Sequence, residues 1–192
     1  MKPYLQIRYC LDWTLALVLL PLCIPFFVLI SLVQFFVFGD IVFTQQRSGL
    51  KGEVFTLFKF KTMMDDENLT EQERIPSWGK FLRNTGLDEL PQILNILSGT
   101  MAFIGPRPLL PEYNSLYSSE QKQRLLIKPG ITGYAQAYFR NKTSWIQRFE
   151  HDVYYVRHAS MFLDLKILYR SLLQLLRAKP QDILEKFKGQ NP

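Results

Sequence analysis

From Trp13 to Gly39 the chain carries no charged side chain. Its apolar core is Leu15-Ala16-Leu17-Val18-Leu19-Leu20, Phe26-Phe27-Val28-Leu29-Ile30 and Phe35-Phe36-Val37-Phe38. As a straight helix this run measures about 40 Å, against a hydrocarbon core of about 30 Å, so length permits crossing a membrane. Pro21 and Pro25 stand near its middle, and each removes a backbone donor and crowds the preceding turn, which predicts a sharp kink. Lys2 and Arg8 lie at the start, while Arg47, Lys51, Lys59 and Lys61 follow the end. Cationic flanks favour the cytoplasmic side, so both ends ask for the same side. The pattern predicts a helix-break-helix over residues 1–39, re-entrant in one leaflet, with Pro25 supporting the break. A plain transmembrane helix is the alternative, because membrane helices tolerate proline. A cleaved signal peptide is not expected from so long a run without a small-residue cleavage site.

Residues 40–192 read as one cytosolic catalytic domain. Ile41 to Thr44 and Val54 to Phe60 are β-rich runs around a Ser48-Gly49-Leu50-Lys51-Gly52 turn, which predicts a hairpin. Met64 to Pro76 is polar and acidic, a loop or a solvated helix. Trp78 to Asn84 predicts a short helix ending at Gly86. Leu90, Ile93, Leu94 and Leu97 recur at helical spacing, predicting a helix over 88–97 with Pro91 in its first turn. Phe103 to Pro108 predicts an ordered, extended loop, since two prolines oppose regular structure. Residues 111–126 are expected to be helical, 129–133 a stiff loop, and 145–156 a helix. Over 161–177 aliphatic residues alternate with Lys166, Arg170 and Arg177. This segment is either a core helix with a wet side or an in-plane helix on a membrane surface. The fold class is α+β: mostly helical, with a β-hairpin, a re-entrant N-terminal membrane helix and amphipathic interfacial helices.

The 192 residues suffice for one domain plus one membrane element. The net charge of +6 fits a solvated basic surface, anionic lipid headgroups or phosphate-bearing substrates. No zinc-finger spacing, basic-region heptad or aromatic ribonucleoprotein motif is present, so nucleic acid is not an expected partner. Cys10 and Cys23 lie in or beside the apolar run and read as free thiols, and with only His151 and His158 as histidines a zinc site is not expected.

Asp88 and Glu89 open a predicted helix, with Arg83 one turn earlier and Arg107 in the Gly-Pro-Arg-Pro loop. Acids at a helix start can be simple caps. Their company suggests more. Arginine offers planar, bidentate phosphate recognition, and Pro106 and Pro108 hold Arg107 with little entropy to lose. Adjacent carboxylates suit a magnesium ion that keeps several waters. Carboxylate, magnesium and arginine together describe a phosphoryl-transfer site.

The chain resembles the bacterial sugar transferase family, the small monotopic phosphoglycosyl transferases, over nearly its whole length. The resemblance rests on Val42-Phe43-Thr44-Gln45, Lys59-Phe60-Lys61-Thr62-Met63, Leu87-Asp88-Glu89-Leu90, Gly105-Pro106-Arg107-Pro108-Leu109, Pro129-Gly130-Ile131-Thr132-Gly133 and Asp152-Val153-Tyr154-Tyr155-Val156. It implies transfer of a sugar phosphate from a UDP-sugar to polyprenyl (undecaprenyl) phosphate, with UMP released, as the first membrane step of glycoconjugate assembly. Asp88 would be the nucleophile of an aspartyl-phosphosugar intermediate and would hold Mg2+. Glu89 would deprotonate the lipid phosphate or organise the metal. Arg83, Arg107 and Arg140 would bind phosphate or nucleotide, Lys59 and Lys61 would serve the site or the surface, and Asp152 would order the site by hydrogen bonds. The implied location is the cytoplasmic face of a bacterial inner membrane, among membrane lipids and downstream glycosyltransferases. The chain departs from the family at Ile24-Pro25, where Ser-Pro is usual, at Tyr134, where Trp is usual, and at Tyr138-Phe139-Arg140-Asn141, where a Gly precedes Arg-Asn. Substrate choice is therefore not carried over. The alternatives are a metal-dependent nucleotide-sugar phosphohydrolase and a non-catalytic scaffold that binds anionic lipid.

Overall fold

The computed structural model describes residues 3–66, 68–70, 72–139, 144–176 and 187. Lys2, Arg140 and Arg177 lie outside the described residues. The architecture is α+β and mostly helical, with two small sheets.

Helix α1 runs from Pro3 to Phe38 as one helical element through both prolines. The reason lies in which face packs. Leu5, Arg8, Ala16, Ile30 and Gln34 are buried, and Cys23 and Phe27 are half-buried between them. These positions form one stripe at helical spacing from end to end. Pro21 and Pro25 are exposed and stand four residues apart on the opposite face. The carbonyls they free therefore face away from the packed stripe, which holds the helix together. The outer face is apolar: Leu11, Leu15, Val18, Leu22, Phe26, Leu29 and Phe36 are all exposed. By length and composition α1 can cross a membrane, and only 11% of its most apolar stretch is buried. An apolar face of this extent marks contact with lipid or another apolar phase.

Both ends of α1 are tied to the same domain. Arg8 donates to the Tyr155 hydroxyl and to Asp164 Oδ2 at 3.2 Å, and the Tyr155 hydroxyl donates to Asp164 Oδ1 at 2.6 Å. Near the other end, Gln34 Nε2 donates to the Lys61 carbonyl at 2.5 Å. Trp13 Nε1 donates to the Leu97 carbonyl at 3.1 Å between them.

The predicted hairpin forms from β1 (Val42–Ser48) and β2 (Val54–Phe60), antiparallel, with Val42 opposite Phe60. Side chains alternate along a strand, so Lys59 continues the inward face of Phe55 and Leu57. That face packs with Ala16, Ile93, Ile96 and Met101 in one core cluster. Helix α2 (Ser77–Thr85) ends at Gly86, whose φ of 72° is left-handed as a C-terminal glycine allows.

The expected helix over 88–97 is split. A 3-10 turn spans Leu87–Glu89, and α3 spans only Gln92–Leu97. Pro91 lies between them and cannot donate, so the bonds around it tighten to i→i+3, as in Leu90 N to Leu87 O. Asn95 of α3 then acts as a short strand. It accepts from Phe58 N at 3.1 Å and donates to the Thr56 carbonyl at 2.7 Å. The catalytic-candidate turn is thus clamped to the hairpin.

Two expected loops are partly strands. β3 (Ala102–Ile104) pairs in parallel with β4 (Gly130–Thr132). The prolines of the 103–108 segment lie just past β3, where no ladder donor is needed. The expected helix over 111–126 is two 3-10 segments, Pro111–Ser115 and Gln121–Leu126. Ser118 interrupts it by exchanging hydrogen bonds with Gln121, an alternative to helical bonding. α4 (Tyr134–Phe139) was not foreseen from the sequence pattern. α5 (Trp145–His158) starts at a capping box of Ser144 and Gln147, and α6 (Met161–Leu176) follows. On α6, Asp164 and Ile167 are buried, while Met161, Phe162, Leu165, Tyr169 and Leu172 are exposed. Its outer face is apolar, which fits an in-plane helix and not a core helix with a wet side.

Asn95→Ala leaves the buried Phe58 N–H and Thr56 carbonyl without partners. A loss of about 2–6 kcal/mol in unfolding free energy is expected for two groups at roughly 1–3 kcal/mol each. Denaturant melts of the detergent-solubilised variant within 0.5 kcal/mol of wild type, roughly the spread of neutral surface changes, would refute the clamp.

Candidate active site

Three separate segments bring charge to one place. Lys59 arrives from the inward face of β2, Asp88 and Glu89 from the tight turn before α3, and Arg107 from the loop after β3. Lys59 Nζ lies 2.6 Å from Glu89 Oε1 and 3.9 Å from Asp88 Oδ2. Arg107 Nη1 lies 3.5 Å from the same Glu89 oxygen. Arg83, on the last turn of α2, donates from Nε to Thr62 Oγ1 at 2.8 Å, and its charge reaches Asp88. Lys61 does not join them: it pairs with Asp40 at 2.8 Å and Asp65 at 2.5 Å. Arg140 lies outside the described residues.

The two carboxylates differ in state. Burial pushes the Asp88 carboxyl up; Lys59 opposes this, and the negative charge of Glu89 adds to it. Burial acts on Glu89 in the same sense, but Lys59 and Arg107 outweigh it and hold Glu89 below its ordinary value. Glu89 is therefore the fixed anion of the pair. Asp88 is buried at the residue level, yet among the described residues no hydrogen-bond donor reaches its carboxylate. A carboxylate without protein donors is open to a metal ion or to a reacting phosphorus. Among the described residues no group of three or more His, Cys, Asp or Glu side chains converges. The donor set therefore suits an ion held by one or two carboxylates plus substrate oxygens and water, as magnesium prefers, and not a closed protein cage.

The Pro-rich loop is fixed through its carbonyls. Gly130 N donates to Pro106 O at 3.1 Å, Arg124 Nη2 to Arg107 O at 2.7 Å, Arg47 Nη1 to Pro108 O at 3.3 Å, and Ser48 N to Leu109 O at 2.9 Å. Four consecutive acceptors are met from three different segments. Close approach is part of this design: a Cβ on Gly130 would stand 2.1 Å from Gly105 N, so only glycine fits there. Arg124 is itself held by Asp152, at 2.9 Å and 3.1 Å from Nη2 and Nε. Asp152 thus acts on Arg107 at one remove, through a buried ion pair. Burial pushes the Asp152 carboxyl up, against the pull of Arg124.

Arg124 escaped the sequence reading, and Arg47 entered it only as a cationic flank of the apolar run. Each is a lone arginine in an ordinary polar stretch, and only the folded chain brings it to the loop. Pro25, expected as structural support, stands on the exposed face of α1.

Residues 4–178 match the family described as Bacterial sugar transferase. The chain is 44% identical over 152 residues to an uncharacterized sugar transferase, EpsL, of Bacillus subtilis (strain 168), covering 77% of this chain and 75% of that protein. It is 40% identical over 157 residues to a UDP-glucose:undecaprenyl-phosphate glucose-1-phosphate transferase of Xanthomonas campestris pv. campestris, covering 73% of this chain and 32% of the relative. To an undecaprenyl-phosphate galactose phosphotransferase of Salmonella typhimurium it is 31% identical over 161 residues, covering 72% and 34%. The match thus spans about a third of the length of these last two relatives.

Arg124→Met strands the Asp152 carboxylate inside the protein and frees the Arg107 carbonyl. A loss of about 3–5 kcal/mol is expected for breaking one side of a buried pair. A melting temperature equal to that of wild type would show that the pair does not brace the loop.

Proposed function

The chain belongs to the bacterial sugar transferase family, and from that premise we propose that it transfers a sugar phosphate from a UDP-sugar to polyprenyl phosphate, releasing UMP. It is an enzyme, and the observation that carries its mechanism is an Asp88 carboxylate that no hydrogen-bond donor reaches among the described residues, beside a Glu89 locked by Lys59 and Arg107. The glucose and galactose named for different relatives leave the sugar itself to experiment.

In the first half-reaction an oxygen of Asp88 bonds to the phosphorus that carries the sugar. The bond from that phosphorus to the UMP oxygen breaks, and UMP leaves as a dianion with the electron pair. In the second, a phosphate oxygen of the polyprenyl phosphate bonds to the same phosphorus. The bond to Asp88 breaks and the carboxylate is restored. A phosphate monoester has a second pKa of about 6, so the acceptor arrives largely as the dianion and no proton need move. This favours an organising part for Glu89. A carboxylate paired with two cations is a weak base, but it holds Lys59 and Arg107 where an anionic phosphate arrives. Arg83 and Arg107 bind that phosphate, and Asp152 positions Arg107 through Arg124. Arg140, on the family resemblance, contributes to the nucleotide side. Asp88, with oxygens of the donor's phosphates and water, would hold a magnesium ion, which would offset the repulsion between an anionic nucleophile and an anionic phosphate.

A lipid-linked acceptor requires a site at headgroup level. The exposed apolar faces of α1 and α6 suit a monotopic seat in the cytoplasmic leaflet of a bacterial inner membrane. That Arg8 and Gln34 both bond to the one domain supports a reading in which the two ends of α1 share its side of the membrane.

Detergent-solubilised protein with magnesium, undecaprenyl phosphate and a panel of UDP-sugars is expected to release UMP and form a lipid-linked product. Asp88→Asn removes the charge with little change in volume and is expected to lower turnover by at least a thousandfold. Turnover within tenfold of wild type would remove Asp88 as nucleophile, and UMP release without lipid product would indicate a hydrolase. Single cysteines placed at Lys2 and Lys51 are expected to show the same accessibility to an impermeant thiol reagent in intact cells. Opposite accessibility would establish a true span.

A further inference from the structure

The cleft beside Glu89 carries more positive charge than the protein neutralises. Arg47, Lys59, Glu89, Gln92, Arg107 and Gly130 line it, which sets three cations against one carboxylate. Lys59 and Arg107 both lean on Glu89. Arg47 has no carboxylate among the described residues. Its Nη1 meets Pro108 O at 3.3 Å and its Nη2 meets Gln45 Oε1 at 2.5 Å, both neutral acceptors. Its Nε is out of solvent and has no hydrogen-bond partner. Burial, and after it the like charge of Arg107, lower the Arg47 guanidinium to about 10. Gln92, buried in the same cleft, makes no side-chain hydrogen bond among the described residues.

Comparison with Arg124 sharpens the point. Both arginines donate to carbonyls of the same loop, but Arg124 is given Asp152. A half-buried cation with no counter-ion among the described residues, set against another cation, is costly. An anion between Arg47 and Arg107 removes that cost, and a guanidinium fork suits phosphate.

We propose that Arg47, with Arg107 and Gln92, forms the subsite for the phosphate monoester exchanged opposite Asp88. This rests on the transfer reaction proposed above. In an in-line displacement the leaving and entering groups occupy the same side of the phosphorus, away from the carboxylate. The phosphate of UMP leaves from that side, and the headgroup of polyprenyl phosphate enters there. One subsite of this chemistry can serve both, so Arg47 is a binding residue for a phosphate monoester and not only a brace for Pro108.

The test compares affinities of the detergent-solubilised full chain and its Arg47→Gln and Arg47→Lys variants for UMP, for uridine and, by KM, for undecaprenyl phosphate. Wild type is expected to bind UMP far better than uridine. Arg47→Gln is expected to weaken UMP at least tenfold with uridine unchanged, and Arg47→Lys to fall between, since a point charge cannot copy the fork. Loss on UMP alone assigns the subsite to the nucleotide phosphate, and a rise in KM for the lipid alone assigns it to the acceptor. If Arg47→Gln does not fold, Arg47→Lys decides, and wild-type discrimination between UMP and uridine in that variant overturns the subsite. Equal weakening of UMP and uridine would also overturn it, leaving Arg47 a brace of the loop. A wild-type protein that does not prefer UMP to uridine would instead bring down the transfer reading beneath the proposal.

Discussion

Glu89 joins parts of the chain that have nothing else in common at that point. Its one carboxylate oxygen receives Lys59 from the hairpin and Arg107 from the Pro-rich loop, while its backbone belongs to the tight turn before α3. A half-buried charge is costly unless paired, so its two cations favour the meeting of the three segments there. That pairing sets the state of its neighbour. With the cations drawn to Glu89, Asp88 keeps the longer 3.9 Å approach to Lys59 and no donor among the described residues. A firmly paired carboxylate and a loosely approached one arise side by side from unequal sharing of the same cations.

The geometry around this centre depends largely on side chains that bond to backbone groups. The 3-10 turn holds Asp88 because Pro91 cannot continue a helix and Asn95 pins the next turn to β2. The loop bearing Arg107 is held by four carbonyls in succession, two of them met by arginines, Arg124 buried and Arg47 half-buried. Rigid loops lose little entropy on binding a phosphate. The two arginines differ in one respect, and that difference is informative: Arg124 has Asp152, while Arg47 faces the cleft beside Arg107.

The membrane element is coupled to this site by the same domain. α1 packs one stripe along the domain and turns an apolar face outward, and α6 does likewise. Beneath α1, the cluster that includes Ala16 also holds Phe55 and Leu57, whose strand delivers Lys59. The surface that would contact lipid and the strand that carries a catalytic-candidate cation are therefore two sides of one packed layer.

The sequence alone was enough for the parts whose signal is local. The charge-free run, the hairpin around Ser48 to Gly52, the glycine stop at Gly86 and the α2, α5 and α6 patterns follow from periodicity and turn chemistry, which act over a few residues. Asp88, Glu89, Arg107 and Lys59 could be picked out because charged residues stood beside rigid loops in a matching family pattern. Three things needed the folded chain. Continuity of α1 through Pro21 and Pro25 depends on which face packs, and proline in isolation argues for a break. The pairing of β3 with β4 joins segments about 30 residues apart, so neither short run could announce it. The roles of Arg47 and Arg124 also came from tertiary structure, because a lone arginine carries no local pattern and its partner is fixed only when distant backbone is brought within hydrogen-bonding distance of it.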